Sequence, residues 1–146
     1  MDNLHFEIKA SGNFIRIDNM AIQYPDAENE WDNQWLRVNI AVKAGAFNGS
    51  FTAGMMISEF KILHDYFSLL YNNLKGEIAF ESIEYNLEMN IKGDGIGHFN
   101  AQVTARDDTF EGAVIKFHIN FDQTFLPEII NQLEDIIKTY PNTAQR

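Results

Sequence analysis

The sequence predicts an α+β fold in which about eight antiparallel strands form a meander-like sheet and two amphipathic helices pack on one face of it. Several segments alternate apolar with polar residues, which is typical of strands with one buried face. Two other segments carry apolar residues every three to four positions, which is typical of amphipathic helices. These segments follow one another in the order strands, helix, strands, helix. Packing the helices on the sheet covers the apolar faces of both.

The first strands form two predicted hairpins. Residues 4–8 alternate apolar with polar side chains, which predicts a strand. The segment GNFIRID is the predicted partner strand, connected to the first through a turn at ASGN. Two further strands carry apolar or small residues at every second position: Leu36, Val38, Ile40 and Val42 in one, and Phe47, Gly49, Phe51 and Ala53 in the other. A two-residue turn at Ala44 and Gly45 pairs Lys43 with Ala46.

Each predicted helix has an apolar stripe. The first stripe, in ISEFKILHDYFSLLYNNLKG, comprises Phe60, Leu63, Phe67, Leu70 and Leu74. Ser58 is the predicted N-cap of this helix, and Gly76 is the predicted stop signal. The second stripe, in LPEIINQLEDIIKTYP, comprises Ile129, Leu133, Ile136 and Ile137. Pro127 suits the first turn of the second helix, and Pro141 marks its end. The segments that precede the two helices resemble each other weakly, which suggests an internal duplication. A different strand order in the two halves would contradict it.

Strands resume between the helices, in EIAFES, EYNLEMNIK, HFNAQVTAR and GAVIKFHINF. The glycine-rich stretch KGDGIGH has no helix after it, so it fits neither a phosphate loop nor a dinucleotide fingerprint. It also lacks the spaced acids of a calcium loop. We predict instead a hairpin loop over residues 93–97 that pairs Lys92 with His98. In this register, Glu84 lies opposite Arg106.

The following hairpin, with DDTFE as its loop, pairs Asn100 with His118 and His98 with Asn120. Polar residues then share one face of the sheet, and the candidate site residues there are Asn90, His98, Asn100, Gln102, His118 and Asn120. His98 and His118 are diagonal neighbours in this register, but no third ligand accompanies them, so we predict no metal site. The face is solvated, covered by another subunit, or a binding surface.

The bulk composition predicts one domain and disfavours several classes of partner. We expect a single α+β domain over residues 1–141 and a frayed tail over residues 142–146. The chain has no cysteine, which removes thiolate sites and fits a cytoplasmic location. We expect neither a signal peptide nor a membrane span. The net charge is −10 and the basic residues are scattered, which disfavours nucleic acid and acidic membranes and suits a basic partner.

The segment PDAENEWDNQWL concentrates acids around both tryptophans of the chain. Its candidate partner-binding residues are Asp26, Glu28, Glu30, Trp31, Asp32 and Trp35. Tryptophan is enriched at the energetic centres of protein interfaces, which favours a recognition site. The alternative is that the tryptophans anchor a long loop while the acids are solvated, and this suits Trp35 because it enters a strand.

The sequence shows no recognisable set of catalytic residues. The serines lie in no G-x-S-x-G turn, and we predict neither enzymatic activity nor a cofactor.

Three motifs in this order, WDNQWL, GDGIGH and FLPEII, resemble the WapI-type family of small bacterial immunity proteins. Members of that family are associated with wall-associated, contact-dependent toxins. The resemblance implies a non-enzymatic protein that binds and neutralises a cognate toxin domain in the producing cell, and it transfers no catalytic residue. A nuclease-type toxin with a basic cleft suits the acidic balance. The alternative is a small-ligand or carbohydrate-binding module that uses the polar sheet face or a sheet–helix pocket. The sequence leaves the oligomeric state open.

Overall fold

The computed structural model describes residues 3–140, and its first half is a four-stranded antiparallel meander followed by a helix. The strands pair in the order β1-β2-β3-β4. The elements are β1 (Phe6–Ala10), β2 (Asn13–Ile22), the short helix α1 (Glu30–Asn33), β3 (Trp35–Ala44), β4 (Phe47–Met56) and α2 (Ile57–Asn73).

The second half repeats this arrangement. Its strands pair in the order β5-β6-β7-β8, and a helix follows the last strand. The elements are β5 (Lys75–Glu81), β6 (Leu87–Asp94), β7 (His98–Arg106), β8 (Val114–Asp122), a 3₁₀ turn (Gln123–Phe125) and α3 (Leu126–Thr139). The α+β class, the eight antiparallel strands and the order strands, helix, strands, helix are thus confirmed. The eight strands form two four-stranded sheets rather than one, and α2 lies between β4 and β5 in the chain. The equal strand order leaves the duplication hypothesis uncontradicted.

One hydrophobic core joins both sheets and both long helices. The predicted apolar positions of β3 (Leu36, Val38, Ile40 and Val42) are all buried, and so are Leu63 and Phe67 of α2 and Leu133 and Ile136 of α3. The two helices pack on each other, α3 lies against β1, and β8 lies against β1, β2 and β3. Side chains also bridge the halves: Asn13 Nδ2 donates to the His118 carbonyl (2.9 Å), and Gln132 Oε1 accepts from the Glu7 N–H (2.9 Å).

The hairpin through ASGN forms as predicted, with Ala10 opposite Asn13. The β3–β4 register was predicted wrongly by two residues: Ala44 pairs with Phe47, and Lys43 pairs with Asn48 instead of Ala46. The turn is Gly45-Ala46 rather than Ala44-Gly45. Gly45 has φ +63°, so it occupies the first central position of the turn, where a type II′ turn requires positive φ.

The β6–β7 register is also shifted by two residues. His98 does not pair with Lys92, which lies opposite Asn100. The Asp94 carboxylate accepts from the N–H groups of Ile96 (2.8 Å) and His98 (3.1 Å) and so closes a loop of only three residues, 95–97.

The predicted pairing of Glu84 with Arg106 is therefore wrong as well. Glu84 lies outside the strands, and Arg106 forms its ion pair with Glu88.

The β7–β8 register shows the same shift because the connecting loop spans residues 107–113 rather than DDTFE alone. Asn100 lies opposite Asn120, and His98 lies opposite Asp122. His118 pairs with Gln102, so the predicted diagonal contact between His98 and His118 is wrong. The Asp107 carboxylate accepts from the Ala113 N–H (2.7 Å) and closes this longer loop.

Both predicted boundary signals of the first long helix were wrong. The helix begins at Ile57, and the Glu59 carboxylate accepts from the N–H of Met56 (2.7 Å), so Ser58 is inside the helix. The helix ends at Asn73, where Leu74 adopts φ +59°, and Gly76 belongs to β5. Pro127 does lie in the first turn of α3. Pro141, the predicted domain end and the tail of residues 142–146 lie outside the described residues.

Candidate functional site

The acidic segment, residues 23–35, connects β2 to β3 and is fixed at its base. The Gln23 N–H donates to the Trp35 carbonyl (2.9 Å). The Gln34 carbonyl accepts from the Ile57 N–H at the start of α2 (2.9 Å). These bonds attach the segment to the first sheet and to the first long helix, so its residues project from a rigid base.

Within the acidic segment, a side-chain cap orients the short helix α1. The Asn29 side chain accepts from the Asp32 N–H (2.7 Å) and donates to the Asp32 carboxylate (2.9 Å). Asparagine is one of the preferred N-cap residues because its side-chain oxygen satisfies an unpaired helix N–H. The cap fixes α1 and therefore the direction in which Trp31 leaves it.

The two tryptophans of the segment have different environments. Trp35 is half-buried at the start of β3, whereas the Trp31 side chain is 61% exposed. Their rings meet edge to face, with centroids 6.5 Å apart and planes at 78°. Aromatic pairs prefer this geometry because the positive ring edge meets the negative ring face. Trp35 thus anchors the segment, and Trp31 presents a large apolar surface to solvent.

Acidic residues flank Trp31 in the sequence, with no basic residue among them. Asp26 and Glu28 are exposed and Asp32 is half-buried; the side chain of Glu30 lies outside the described part of the chain. The sequence contains no Lys or Arg between Arg16 and Arg37. The segment therefore combines an exposed indole ring with several acidic residues and no basic residue of its own.

A second loop, residues 82–86, lies beside the acidic segment, and nothing in the sequence indicated this. A Cβ atom built on Gly54 of β4 would lie 2.9 Å from Glu84 Oε1 and 3.6 Å from the Trp35 ring. Ile83 and Tyr85 in this loop are about half-exposed, at 47% and 55%. The loop therefore brings Glu84 close to Gln23 and Trp35 of the acidic segment, and it carries two exposed apolar side chains of its own.

A buried carboxylate, Glu59, holds this second loop against the start of α2. Its oxygens accept from the N–H groups of Met56 (2.7 Å) and Ile83 (2.8 Å). Burial raises the pKa of the Glu59 carboxyl above its usual value, and the nearby Glu84 carboxylate acts in the same direction. The two backbone hydrogen bonds oppose this rise.

The second candidate set lies on the outer face of the second sheet. Five of its six residues, all except His118, border one concavity of about 770 Å³: Asn90, His98, Asn100, Gln102 and Asn120. Asn100 donates to Asn120 Oδ1 (2.6 Å), and the ring of His118 bonds to Asn100 Oδ1 (3.2 Å). Sequence reasoning omitted Glu77, Lys92 and Asp122, which border the same concavity.

Charge at the rim of this concavity centres on Asp94 and His98. The His98 ring lies 3.1 Å from the Asp94 carboxylate. Hydrogen bonds from the N–H groups of Ile96 and His98 lower the pKa of the Asp94 carboxyl. The hydroxyl and N–H of Thr124 lower the pKa of Asp122 in the same way. Within residues 3–140, no cluster of three or more His, Asp or Glu side chains is arranged to hold a metal ion.

The comparisons with known proteins identify the family. A model of the immunity protein WapI-like family matches residues 5–141. The chain belongs to this family. The match runs from the residue before β1 to just beyond α3, and it confirms the resemblance carried by the motifs. Membership implies an immunity protein with a non-enzymatic role and a cognate toxin as its partner.

Two other comparisons add little to this family assignment. No curated protein matches the chain. Among solved structures, the plant transcriptional regulator PBF-2 is similar with a TM-score of 0.48 and 11% identity, over 96% of this chain and 82% of that chain. No helix within residues 3–140 has the length and apolar character that crossing a membrane requires.

Proposed function

We propose that this WapI-like immunity protein neutralises a cognate toxin domain in the cytoplasm of the producing cell by covering a basic surface of the toxin with its acidic segment. The observation that carries the proposal is the exposed Trp31 ring, held edge to face on Trp35 within the acid-rich segment. Interfaces gain most of their binding energy from such aromatic anchors, and complementary charge around them accelerates association.

The nature of the toxin follows from this charge. A partner that fits the acidic segment presents Lys or Arg around an apolar pocket, as the substrate cleft of a nuclease does when it binds phosphates. An immunity protein that fills such a cleft blocks the toxin sterically and needs no catalysis or cofactor. The expectation that this protein binds neither nucleic acid nor membranes stays a prediction.

The test uses charge reversal in the acidic segment. Asp26, Glu28, Glu30 and Asp32 are each replaced by Lys, and binding to the cognate toxin domain is measured by calorimetry at several salt concentrations. We expect binding to weaken by at least about a hundredfold, and the loss of affinity with added salt to disappear. Unchanged affinity and salt dependence would contradict the proposal.

A matched control carries the same change of charge elsewhere. Asp65, Glu111, Glu128 and Asp135 are exposed acids on α2, the loop before β8 and α3. Their replacement by Lys changes the net charge equally, so it separates local contacts from long-range attraction. We expect this variant to lose association rate but to keep most of the slow dissociation of the wild type.

A second candidate function is recognition of a small polar ligand or carbohydrate by the outer face of the second sheet. The observation that favours it is the concavity of about 770 Å³ bordered by amide and charged side chains. The neighbouring rings of Phe99 and Phe121 are buried, so they offer little stacking surface to a sugar. Binding of mono- and disaccharides by the wild type, and its loss in Asn100→Ala, would support this candidate over the first.

A further inference from the structure

β4 is an exposed edge strand that contains no charged residue. It is an outer strand of the first sheet, and Asn48, Gly49, Ser50 and Thr52 are all exposed. The sequence contains no charge and no proline between Ala44 and Ser58. The strand pairs with β3 over ten consecutive residues without a bulge. Exposed edges normally carry charges, prolines or bulges because free edges invite pairing with another chain.

The other outer strands of the described sheets do carry such charges. Glu7 and Lys9 lie on β1, Lys75, Glu77 and Glu81 on β5, and Lys116 and Asp122 on β8. β1 is also packed against α3 and β8. Among the four outer strands of residues 3–140, β4 alone lacks this protection.

The backbone of β4 is available for pairing. In the Gly45-Ala46 turn, the N–H of Phe47 points toward β3. Because N–H groups alternate in direction along an antiparallel strand, those of Asn48, Ser50 and Thr52 point to the free edge. A Cβ atom built on Gly49 would meet no atom within 4 Å, so the space around this part of the strand is open.

A mainly apolar groove lies directly beside this edge, with one acid and one base, Asp107 and Lys116, at its border. Its volume is about 650 Å³, and it is bordered by Val42, Phe47, Phe51, Val114, Ile115 and Phe117, among others. The Phe47 side chain is 73% exposed and that of Val114 is 52% exposed. Residues of both sheets border the groove, so a strand added beside β4 places alternate side chains over it.

We propose that two copies of this chain associate by antiparallel pairing of β4 with β4, joining the two first sheets into one eight-stranded sheet. The charge of the chain favours a second copy as the partner of β4. Each chain carries a net charge of −10, so two copies repel except where both surfaces are neutral. A two-fold interface brings the same surface of both copies together, and a neutral strand is compatible with itself where a charged strand is not.

Side-chain size selects the register. If Ser50 lies on the two-fold axis, each Phe51 lies opposite Gly49 of the partner subunit, and both face the groove. A large ring beside a glycine fills the space that the missing side chain leaves. The acidic segment lies at the other end of the first sheet, beside Met56 rather than Phe47. Ten residues of strand span roughly 30 Å, so the dimer leaves the proposed toxin-binding surface free.

The chain has no cysteine, so single cysteines report this register directly. Under mild oxidation we expect Ser50→Cys to form a disulfide-linked dimer, because paired Cα atoms about 5.5 Å apart suit a disulfide. Asn48→Cys and Thr52→Cys should each crosslink poorly alone but efficiently when mixed. Ala79→Cys, an exposed position on the charged outer strand β5, is the control and should not crosslink above background.

Association itself is measured by sedimentation or light scattering over a range of concentrations. The wild type should dimerise, and added salt should strengthen the dimer because it screens the repulsion between the acidic copies. Ser50→Lys places two like charges together and should weaken the dimer by at least about tenfold. Ser50→Pro removes a free N–H and should do the same, whereas Ser50→Thr should dimerise normally.

A wild type that stays monomeric at high concentration overturns the proposal, and so does a dimer that both Ser50→Lys and Ser50→Pro leave intact. A monomer whose binding to the toxin domain is abolished by Ser50→Pro also overturns it, because the edge then receives a strand of the toxin. Charge reversal in the acidic segment should leave the dimer in place, so this test and the test of toxin binding fail independently.

Discussion

The two halves of the molecule share one plan but end their sheets differently. β4 and β8 are the fourth strands of equivalent meanders, and each leads into a long helix. β8 carries Lys116 and Asp122 and lies across β1, β2 and β3, where it helps to join the halves. β4 carries no charge and is exposed over its first half. The same element therefore serves internal packing in one half and is free for association in the other.

Their longest loops differ as well. The first half inserts the acidic segment between its second and third strands, whereas the second half inserts residues 107–113 between its third and fourth. The acidic segment is anchored by Trp35 and by bonds to α2. The proposed toxin-binding segment is therefore an insertion in the first half, and the second half contributes residues 82–86 beside it.

The largest expected effect tests whether the two halves unfold together. Phe67 of α2 is fully buried and meets the ring of Phe6 at 5.6 Å. Phe67→Ala should lower the free energy of unfolding by about 3–5 kcal/mol, because it removes buried apolar surface and leaves a cavity. Urea titration followed by circular dichroism measures this, with the exposed Leu69→Ala as control. One transition is expected; two separate transitions would break the inference of a shared core.

A medium effect compares one glycine in each sheet. A Cβ atom on Gly93 of β6 would lie 2.6 Å from the Leu74 carbonyl oxygen and 2.8 Å from the Phe99 ring. Gly93→Ala should therefore cost about 1–3 kcal/mol of stability through overpacking. In the monomer, Gly49→Ala in β4 meets no atom and should be neutral or slightly stabilising, so the two variants are compared at a concentration where the protein is monomeric. Equal melting temperatures for the two variants would contradict the tight contact between β6 and the end of α2.

A smaller, pH-dependent effect on stability compares one carboxylate in each half, Glu59 in the first and Asp94 in the second. Glu59 is buried, and its pKa is raised, so the folded state binds more protons than the unfolded state above the usual value of 4.5. Its contribution to stability must fall as the pH rises from that value through the folded pKa. The stability difference between wild type and Glu59→Gln should therefore decrease over this interval.

Asp94 should show the opposite sign. Its pKa is lowered by the N–H groups of Ile96 and His98. Its contribution to the stability of the fold is present above its usual pKa of 3.8 and is lost as the pH falls through the lower pKa of the folded state. Chemical unfolding of Asp94→Asn and wild type between acidic and neutral pH measures this. If the stability difference from wild type changed with pH in the same direction for Glu59→Gln and Asp94→Asn, the causes assigned to the two pKa shifts would be contradicted.

The smallest effect on stability is expected at Trp31. Because its side chain is largely exposed, Trp31→Ala should cost no more than about 1 kcal/mol, the upper range for an aromatic pair near the surface. Trp35→Ala should cost clearly more, since Trp35 anchors the base of the acidic segment. Thermal unfolding distinguishes them, and a Trp31→Ala loss as large as that of Trp35→Ala would mean that Trp31 is structural.

The hairpins show what sequence patterns can and cannot predict. The registers of β3–β4, β6–β7 and β7–β8 were each predicted with an error of two residues, yet the apolar residues still lie on the buried face. The side-chain period of a strand is two, so an even shift leaves the pattern unchanged. The actual registers depend on turn chemistry, such as the positive φ of Gly45 and the hydrogen bonds of the Asp94 side chain.

Helix boundaries failed for a related reason. Ser58 is a favourable N-cap residue, but the carboxylate of Glu59 reaches back to the Met56 N–H, so the helix begins earlier. Met56 carries no N-cap signal in the sequence, because the Glu59 carboxylate bonds to its backbone N–H and requires no particular side chain at that position.

The candidate site was predicted only in part. The acids and tryptophans form a visible cluster in the sequence, whereas Ile83, Glu84 and Tyr85 are distant from that cluster in the chain.

The eight strands, the two long helices, their buried faces and the acidic segment around Trp31 can be predicted from the sequence alone. These features are local, because periodicity and charge act between residues close together in the chain. Three features become visible only in the folded chain: the strands divide into two sheets, β8 packs against the first sheet while β4 is a free edge, and residues 82–86 lie beside the acidic segment. Those outcomes depend on which distant surfaces bury each other, and many arrangements of the same amphipathic elements satisfy the same local pattern.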